Sequence, residues 1–245
     1  MKKVALLLLF LVVLPFSAKA TETWIIPVPD QMRPPFSYHG NNGYEGIYID
    51  LMREIANRIG VRLKEKSYPI VRRRELFIRG EIVITCCVNP VWRSKPEENE
   101  IQLFSDPLHF GREMFIFAHQ KKFPIPNPES LQSKSVVGIK GYNYLGEEHF
   151  GKRIDVRTPE QIVRIIAAGR GDVGLLQYEV ANFHAKQQKV KIDFGPVHHS
   201  SPMQIRLHKS KAAYLPKINK AIADIKKEGV LDLIFHKYET LQLSQ

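Results

Sequence analysis

Cysteine is nearly absent: the 245 residues contain two, Cys86 and Cys87, and they are neighbours. This excludes the disulfide framework that staples small secreted domains, and it excludes a zinc site on paired cysteines, which needs further spaced ligands. Adjacent side chains of a strand point to opposite faces. The pair therefore reads as two small buried apolar side chains, with a vicinal disulfide as the alternative. Long apolar runs are also missing. The longest, residues 4–16, has thirteen residues, too few to span a bilayer. There is no glycine-rich phosphate loop and no Gly-x-Ser-x-Gly elbow. His198 and His199 have no carboxylate or cysteine at ligand spacing, and His184 and His208 stand apart from them. Neither a metal nor a cofactor is expected.

Acidic residues are in deficit: 25 Asp and Glu face 36 Lys and Arg, for a formal charge of +11. Lys2, Lys3 and Lys19 supply three of these charges, leaving +8 on the rest. They flank an apolar stretch that ends in Ala18-Lys19-Ala20, the pattern of a secretory signal. Residues 1–20 are expected to be cleaved after Ala20, with the mature protein exported to the periplasm. No cysteine near that site would take a lipid anchor. Export argues against nucleic acid as the partner of the basic surface and favours small anions.

Strands and helices then alternate. Trp24-Ile25-Ile26-Pro27-Val28 reads as a strand running into Arg33-Pro34-Pro35-Phe36-Ser37-Tyr38, where the prolines fix an extended loop presenting Phe36 and Tyr38. Asp50 suits the N-cap of a helix that Gly60 stops. Residues 68–80 form a short helix whose arginines, Arg72-Arg73-Arg74, oppose the macrodipole; Arg73 is the one chosen to face a ligand. Ile82-Val83-Ile84-Thr85-Cys86-Cys87-Val88 is a buried strand that delivers Asn89, Trp92 and Arg93 at its carboxyl end. Ligands of open α/β sheets bind there, and a guanidinium suits a carboxylate. The alternative is that Arg93 pairs with Glu97, Glu98 or Glu100.

Met114-Phe115-Ile116-Phe117-Ala118 is another strand, and the proline-rich residues 121–128 read as a crossing between domains. A strand ending at Lys140 leads into Gly141-Tyr142-Asn143-Tyr144, expected to open a helix whose N–H groups attract anions. Thr158-Pro159-Glu160-Gln161 is a capping box. Asp172-Val173-Gly174-Leu175-Leu176 is a strand with Gln177 and Tyr178 at its end. Gly195-Pro196 and Ser200-Ser201-Pro202 mark a second hinge-like region, and residues 216–228 and 231–238 are helices. The alternation argues α/β, and two separate strand-loop-helix beginnings argue two lobes.

These motifs resemble the family 3 extracellular solute-binding proteins, the periplasmic receptors of polar amino acid ABC transporters. The resemblance rests on Pro34-Pro35-Phe36, Gly46-Ile47-Tyr48-Ile49-Asp50-Leu51, the turn at Arg93 and Phe104-Ser105-Asp106-Pro107-Leu108. Val137-Gly138-Ile139-Lys140-Gly141, Gly171-Asp172-Val173 and Glu228-Gly229-Val230 complete it. It implies the type II periplasmic binding protein fold: two Rossmann-like lobes with a ligand cleft between them, residues 21–118 plus 203–245 and residues 119–202. It also implies that Arg93 holds a ligand carboxylate, that Phe36 and Tyr38 form an aromatic wall, and that Asn143 with its neighbours closes from the second lobe. Where amino acid receptors carry an aspartate for the α-ammonium, this chain reads Leu176-Gln177-Tyr178-Glu179.

The expected function is capture of a small carboxylate-bearing ligand and its delivery to a membrane transporter by a monomer. Asn89, Arg73, Trp92, Tyr142, Tyr144, Gln177 and Tyr178 join the site. The protein is expected not to be an enzyme. The competing reading is an exported dehydratase on the same scaffold, with Glu179 or Glu45 as its general acid, or a sensor partner presenting its ligand to a receptor.

Overall fold

The structure, a computed structural model, describes residues 21–29, 33–41, 43–93 and 96–240. The expected signal segment lies outside them. The chain runs β1 (Thr23–Pro29), β2 (Tyr38–Gly40), β3 (Gly43–Glu45), α1 (Ile47–Ile59), β4 (Arg62–Tyr68), α2 (Ile70–Ile78) and β5 (Ile84–Val88). A 3-10 turn Pro90–Arg93, α3 (Pro96–Asn99) and the long β6 (Gln102–Ala118) follow. Next come β7 (Ser135–Ile139), β8 (Lys152–Val156), α4 (Pro159–Ala167), β9 (Val173–Gln177) and α5 (Tyr178–Gln187). The long β10 (Ile192–His208), α6 (Leu215–Lys227) and α7 (Val230–Thr240) end the chain. No described helix is long and apolar enough to cross a membrane.

Six strands form one sheet in the order β5-β10-β6-β9-β7-β8, while β1 pairs in parallel with β4. The centre is an antiparallel ribbon of β6 and β10, paired from Ile192↔Ala118 to His208↔Gln102. One end carries β5, and the other carries the parallel β9-β7-β8 set. Residues 200–203, part of the stretch read as a second hinge-like region, form no loop: their backbone pairs in register with 109–112 inside the ribbon.

Helix α1 buries Ile47, Leu51, Met52, Ile55 and Ile59, and α6 buries Ile218, Ala221, Ile222 and Ile225, the i, i+3, i+4 stripe of a core-facing helix. Two expectations are corrected at helix starts. Gly46, not Asp50, caps α1; Asp50 sits in the first turn, where the Tyr238 hydroxyl donates to it at 2.8 Å. Gly46 has φ of 130°, and an added Cβ would lie 2.3 Å from the Phe36 carbonyl oxygen, so the turn tolerates only glycine. At residues 141–144 no helix begins: Gly141 has positive φ and the chain turns back until a 3-10 turn at Glu147–His149. Thr158 and Gln161 form the expected capping box of α4.

Cys86 and Cys87 are joined in a vicinal disulfide across a cis peptide, with Cα atoms 3.0 Å apart. Two separate thiols, the favoured reading of the sequence, are thereby corrected.

Candidate functional site

A cavity of about 640 Å³ opens beside the ribbon. Gly111 and Glu113 of β6 and His199, Ser201 and Met203 of β10 form its back. Arg33 enters from the turn before β2, and Tyr142, Asn143, Tyr144 and Leu145 enter from the loop after β7. Gln177, at the end of β9, lies between them. Its size is that of a small-molecule site.

Local chemistry fixes each wall. The Arg33 turn is closed by its N–H donating to the Ser37 carbonyl at 2.7 Å, and it is tied to the start of α1 by Tyr48 N–H donating to the Phe36 carbonyl at 3.0 Å. The Arg33 guanidinium lies 5.8 Å from the Phe36 ring and donates to Gln177 Oε1 at 2.6 Å. Gln177 in turn hydrogen-bonds the Tyr48 hydroxyl. Gly111 makes room for this contact, since a Cβ there would stand 2.7 Å from Gln177 Nε2. The two flanks of the sheet are thus bridged by one charge-assisted hydrogen bond, a strong class.

The loop 140–145 is pinned from three sides. Ile139 N–H donates to the Tyr144 hydroxyl at 2.8 Å, and burial pushes that phenol up to about 12. Arg153 of β8 donates to the Tyr142 carbonyl at 2.7 Å and pairs with Glu147. His198 of β10 places Nδ1 2.9 Å from Glu113 Oε2 and Nε2 2.8 Å from the Leu145 carbonyl. A carboxylate and a carbonyl both accept, so this setting favours the ring form in which both nitrogens donate. Burial alone would lower its pKa, but the Glu113 carboxylate and the Leu145 carbonyl outweigh it and the value is raised.

A His pKa raised on folding contributes stability that is complete below the unfolded value near 6.5 and is lost as pH rises through the folded value. Hydrogen bonds to a charged group contribute about 1.5–3 kcal/mol each. His198→Gln is therefore expected to destabilise the protein most at about pH 6, with the gap to wild type closing as pH climbs past the native His198 pKa. Thermal melts of both proteins across that range check it. A gap independent of pH would mean that the ring is neutral.

Of the expected site residues, Tyr142, Asn143, Tyr144 and Gln177 meet at this cavity, whereas Arg93 does not line it. Arg93 is half-buried in a cluster of like charge. Burial lowers its pKa, the Glu98 carboxylate opposes that, and the Arg74 guanidinium adds to it. The pairing with Glu98 weighed for Arg93 thus has a structural counterpart. Glu98 is fully buried, pairs with Arg74 and accepts from Arg206 at 2.9 Å.

Phe36 is buried behind the cavity, stacked 4.4 Å from Tyr48, whose hydroxyl lies 3.0 Å from His109 Nε2. Burial lowers the His109 pKa to about 4 and keeps it neutral. Tyr38 is also in the core, against Tyr238 and Glu45. Asn89 accepts from Val91 N–H at 3.1 Å and shapes the 3-10 turn that contains Trp92. Arg73 lies half-buried on α2. Tyr178 packs against Phe194 with the rings tilted at 48°, and the Arg112 guanidinium lies 5.2 Å from its ring.

Neither acid considered for catalysis reaches the cavity. Glu179 is buried at the start of α5 rather than solvated, and burial raises its pKa against the pull of Arg112 and Arg33. Glu45 lies against Tyr38. Sequence reasoning missed Arg33, although it opens the quoted Arg33-Pro34-Pro35-Phe36 motif. Its signal was the one available for Arg93: a cation on the loop at a strand's carboxyl end.

The family model for bacterial extracellular solute-binding proteins, family 3, matches residues 26–240. No curated protein matches the sequence. Among solved structures, the L-cystine solute receptor of Neisseria gonorrhoeae, in an unliganded open conformation, is similar with TM-score 0.71 and 17% identity over 92% of this chain and 96% of that one. A mutant of ArgBP from T. maritima has TM-score 0.65 and 20% identity over 89% and 96%. The ancestral amino acid-binding protein AncCDT-1, a precursor of cyclohexadienyl dehydratase, has TM-score 0.65 and 21% identity over the same shares.

Proposed function

Because the chain belongs to the bacterial extracellular solute-binding proteins, family 3, we propose that it captures a small carboxylate-bearing ligand in the cavity beside the β6–β10 ribbon and hands it to a membrane transporter. The family is extracellular or periplasmic, and its members bind small ligands such as amino acids. In this reading the lobes are residues 21–118 with 203–245 and residues 119–202, and residues 1–20 are removed on export. The carboxylate clamp is Arg33 rather than Arg93. The observation that carries it is the Arg33 guanidinium at the cavity wall, reaching across to Gln177. A ligand carboxylate can take the remaining guanidinium donors, and Asn143 and Tyr142 close from the opposite side.

Binding without turnover is favoured because Glu179 and Glu45 stand outside the cavity lining. Glu113, which does line it, has Oε2 engaged by His198.

Calorimetry of the mature protein against small acids and their uncharged amides tests the proposal. Acids are expected to bind and amides not. Equal affinity for an acid and its amide would remove the carboxylate from the recognition.

A further inference from the structure

Resting on the reading of this cavity as the ligand site, we infer that the ligand carries an apolar body of aromatic size, which lies against Tyr142 and Leu145 while its acid group meets Arg33. Folded chains bury most large apolar side chains and leave few contiguous ones in water without a reason. Here Leu145 is 69% exposed and Tyr142 51% exposed, within four residues of one another. Both line the cavity.

They are not loose. The Leu145 carbonyl is held by His198 and the Tyr142 carbonyl by Arg153, so the backbone aims these side chains while the side chains themselves stay uncovered. A loop fastened by its carbonyls and bare at its apolar tips is prepared to receive apolar surface.

The cavity continues this chemistry inward. Leu175, Leu176 and Met203 are almost fully buried, yet each contributes to its lining. A polar ligand body against these surfaces would lose water and gain no hydrogen bond in return. An apolar one loses nothing polar and covers the exposed tips. The same lining holds the Arg33 cation and the polar groups Asn143, Gln177 and Ser201, so a ligand acid group can be met by charge while its body lies against Tyr142, Leu145 and the buried apolar residues.

The test is a calorimetric panel on the mature protein: monocarboxylates with phenyl or branched alkyl bodies, the matching alcohols, succinate, and L-glutamine. The phenyl and branched acids are expected to bind at least about tenfold tighter than succinate and glutamine. Leu145→Ser and Tyr142→Ser should each weaken them by roughly tenfold, clearly more than either weakens succinate; a tenfold change corresponds to about 1.4 kcal/mol. Amide exchange of the unliganded variants confirms that the loop remains folded. If succinate or glutamine binds tightest and still requires Arg33, the apolar body is overturned while carboxylate capture stands. If the alcohols bind as well as the acids, carboxylate capture fails and the apolar surface stands alone. If no acid of the panel binds, both fall.

Discussion

Arg33→Ala is expected to lower affinity for the captured acid at least tenfold, and by more if the carboxylate is held by two donors. A charge-assisted hydrogen bond contributes about 1.5–3 kcal/mol, and about 1.4 kcal/mol is a factor of ten. The substitution also removes the 2.6 Å contact with Gln177, so the flanks lose a bond across the cavity even before ligand enters. Arg33→Lys keeps the charge and loses the fork. It should recover part of the affinity, because a point charge still attracts a carboxylate without matching its two oxygens. Calorimetry on the three proteins decides. Full affinity in the alanine variant would place the acid group elsewhere, with Arg93→Ala the next protein to measure.

Glu98→Ala is expected to be the most damaging substitution outside the cavity. Glu98 is 0% exposed and holds together Arg74 and Arg206, with Arg93 half-buried beside them. Arg206 is itself 2% exposed, lies 3.7 Å from the Phe77 ring centre, and is held by Glu98 and a 2.6 Å bond to Gln102. Even so, burial, offset in part by Glu98, leaves its pKa at about 10. Deleting the carboxylate leaves a buried guanidinium facing two others. Removing one partner of a buried pair costs about 3–5 kcal/mol. At about 2–4 °C per kcal/mol for a chain of this size, the midpoint of melting should fall by roughly 6–20 °C. Exposed pairs such as Arg72–Glu75 and Arg79–Glu81 supply the control, since their removal should shift the midpoint little. A Glu98→Ala protein melting within about 2 °C of wild type would show that water reaches the cluster.

The parts of the fold readable in advance were those whose evidence is local. The apolar stripes of α1 and α6, the Thr158 capping box and the run from Ile82 to Val88 each declare themselves within a dozen residues. The ribbon did not, because Asp106, Pro107 and Gly111 punctuate β6 and read as breaks. In the folded chain, Pro107 stands opposite Gln204 and Gly111 opposite Ser201, so pairing with a strand far along the sequence overrides the local signal. The first turn of α5 was visible only as the end of a strand.

The site divided in the same way. Tyr142, Asn143, Tyr144 and Gln177 reach the cavity from the loop after β7 and the end of β9, positions that the strand pattern alone marks. Arg93 stands instead beside Glu98, five residues on, which is buried against Arg206 of the distant β10. Nothing local in the sequence encodes that contact.

The ribbon also has a mechanical meaning. Its register is irregular between Phe194 and His199 and again between Met203 and Arg206, and it is unbroken from His199↔Glu113 to Met203↔His109. Irregular points bend and twist more easily than a regular ladder. The cavity's back wall is thus a regularly paired panel with an irregular stretch on either side. On the proposal that the two lobes close on a ligand, that panel would keep Gly111, Glu113, Ser201 and Met203 in fixed mutual positions. Bending at the irregular stretches would carry the loop of Tyr142 and Leu145 and the turn of Arg33. A ligand would then meet a finished floor, with only the two lips to be brought to it.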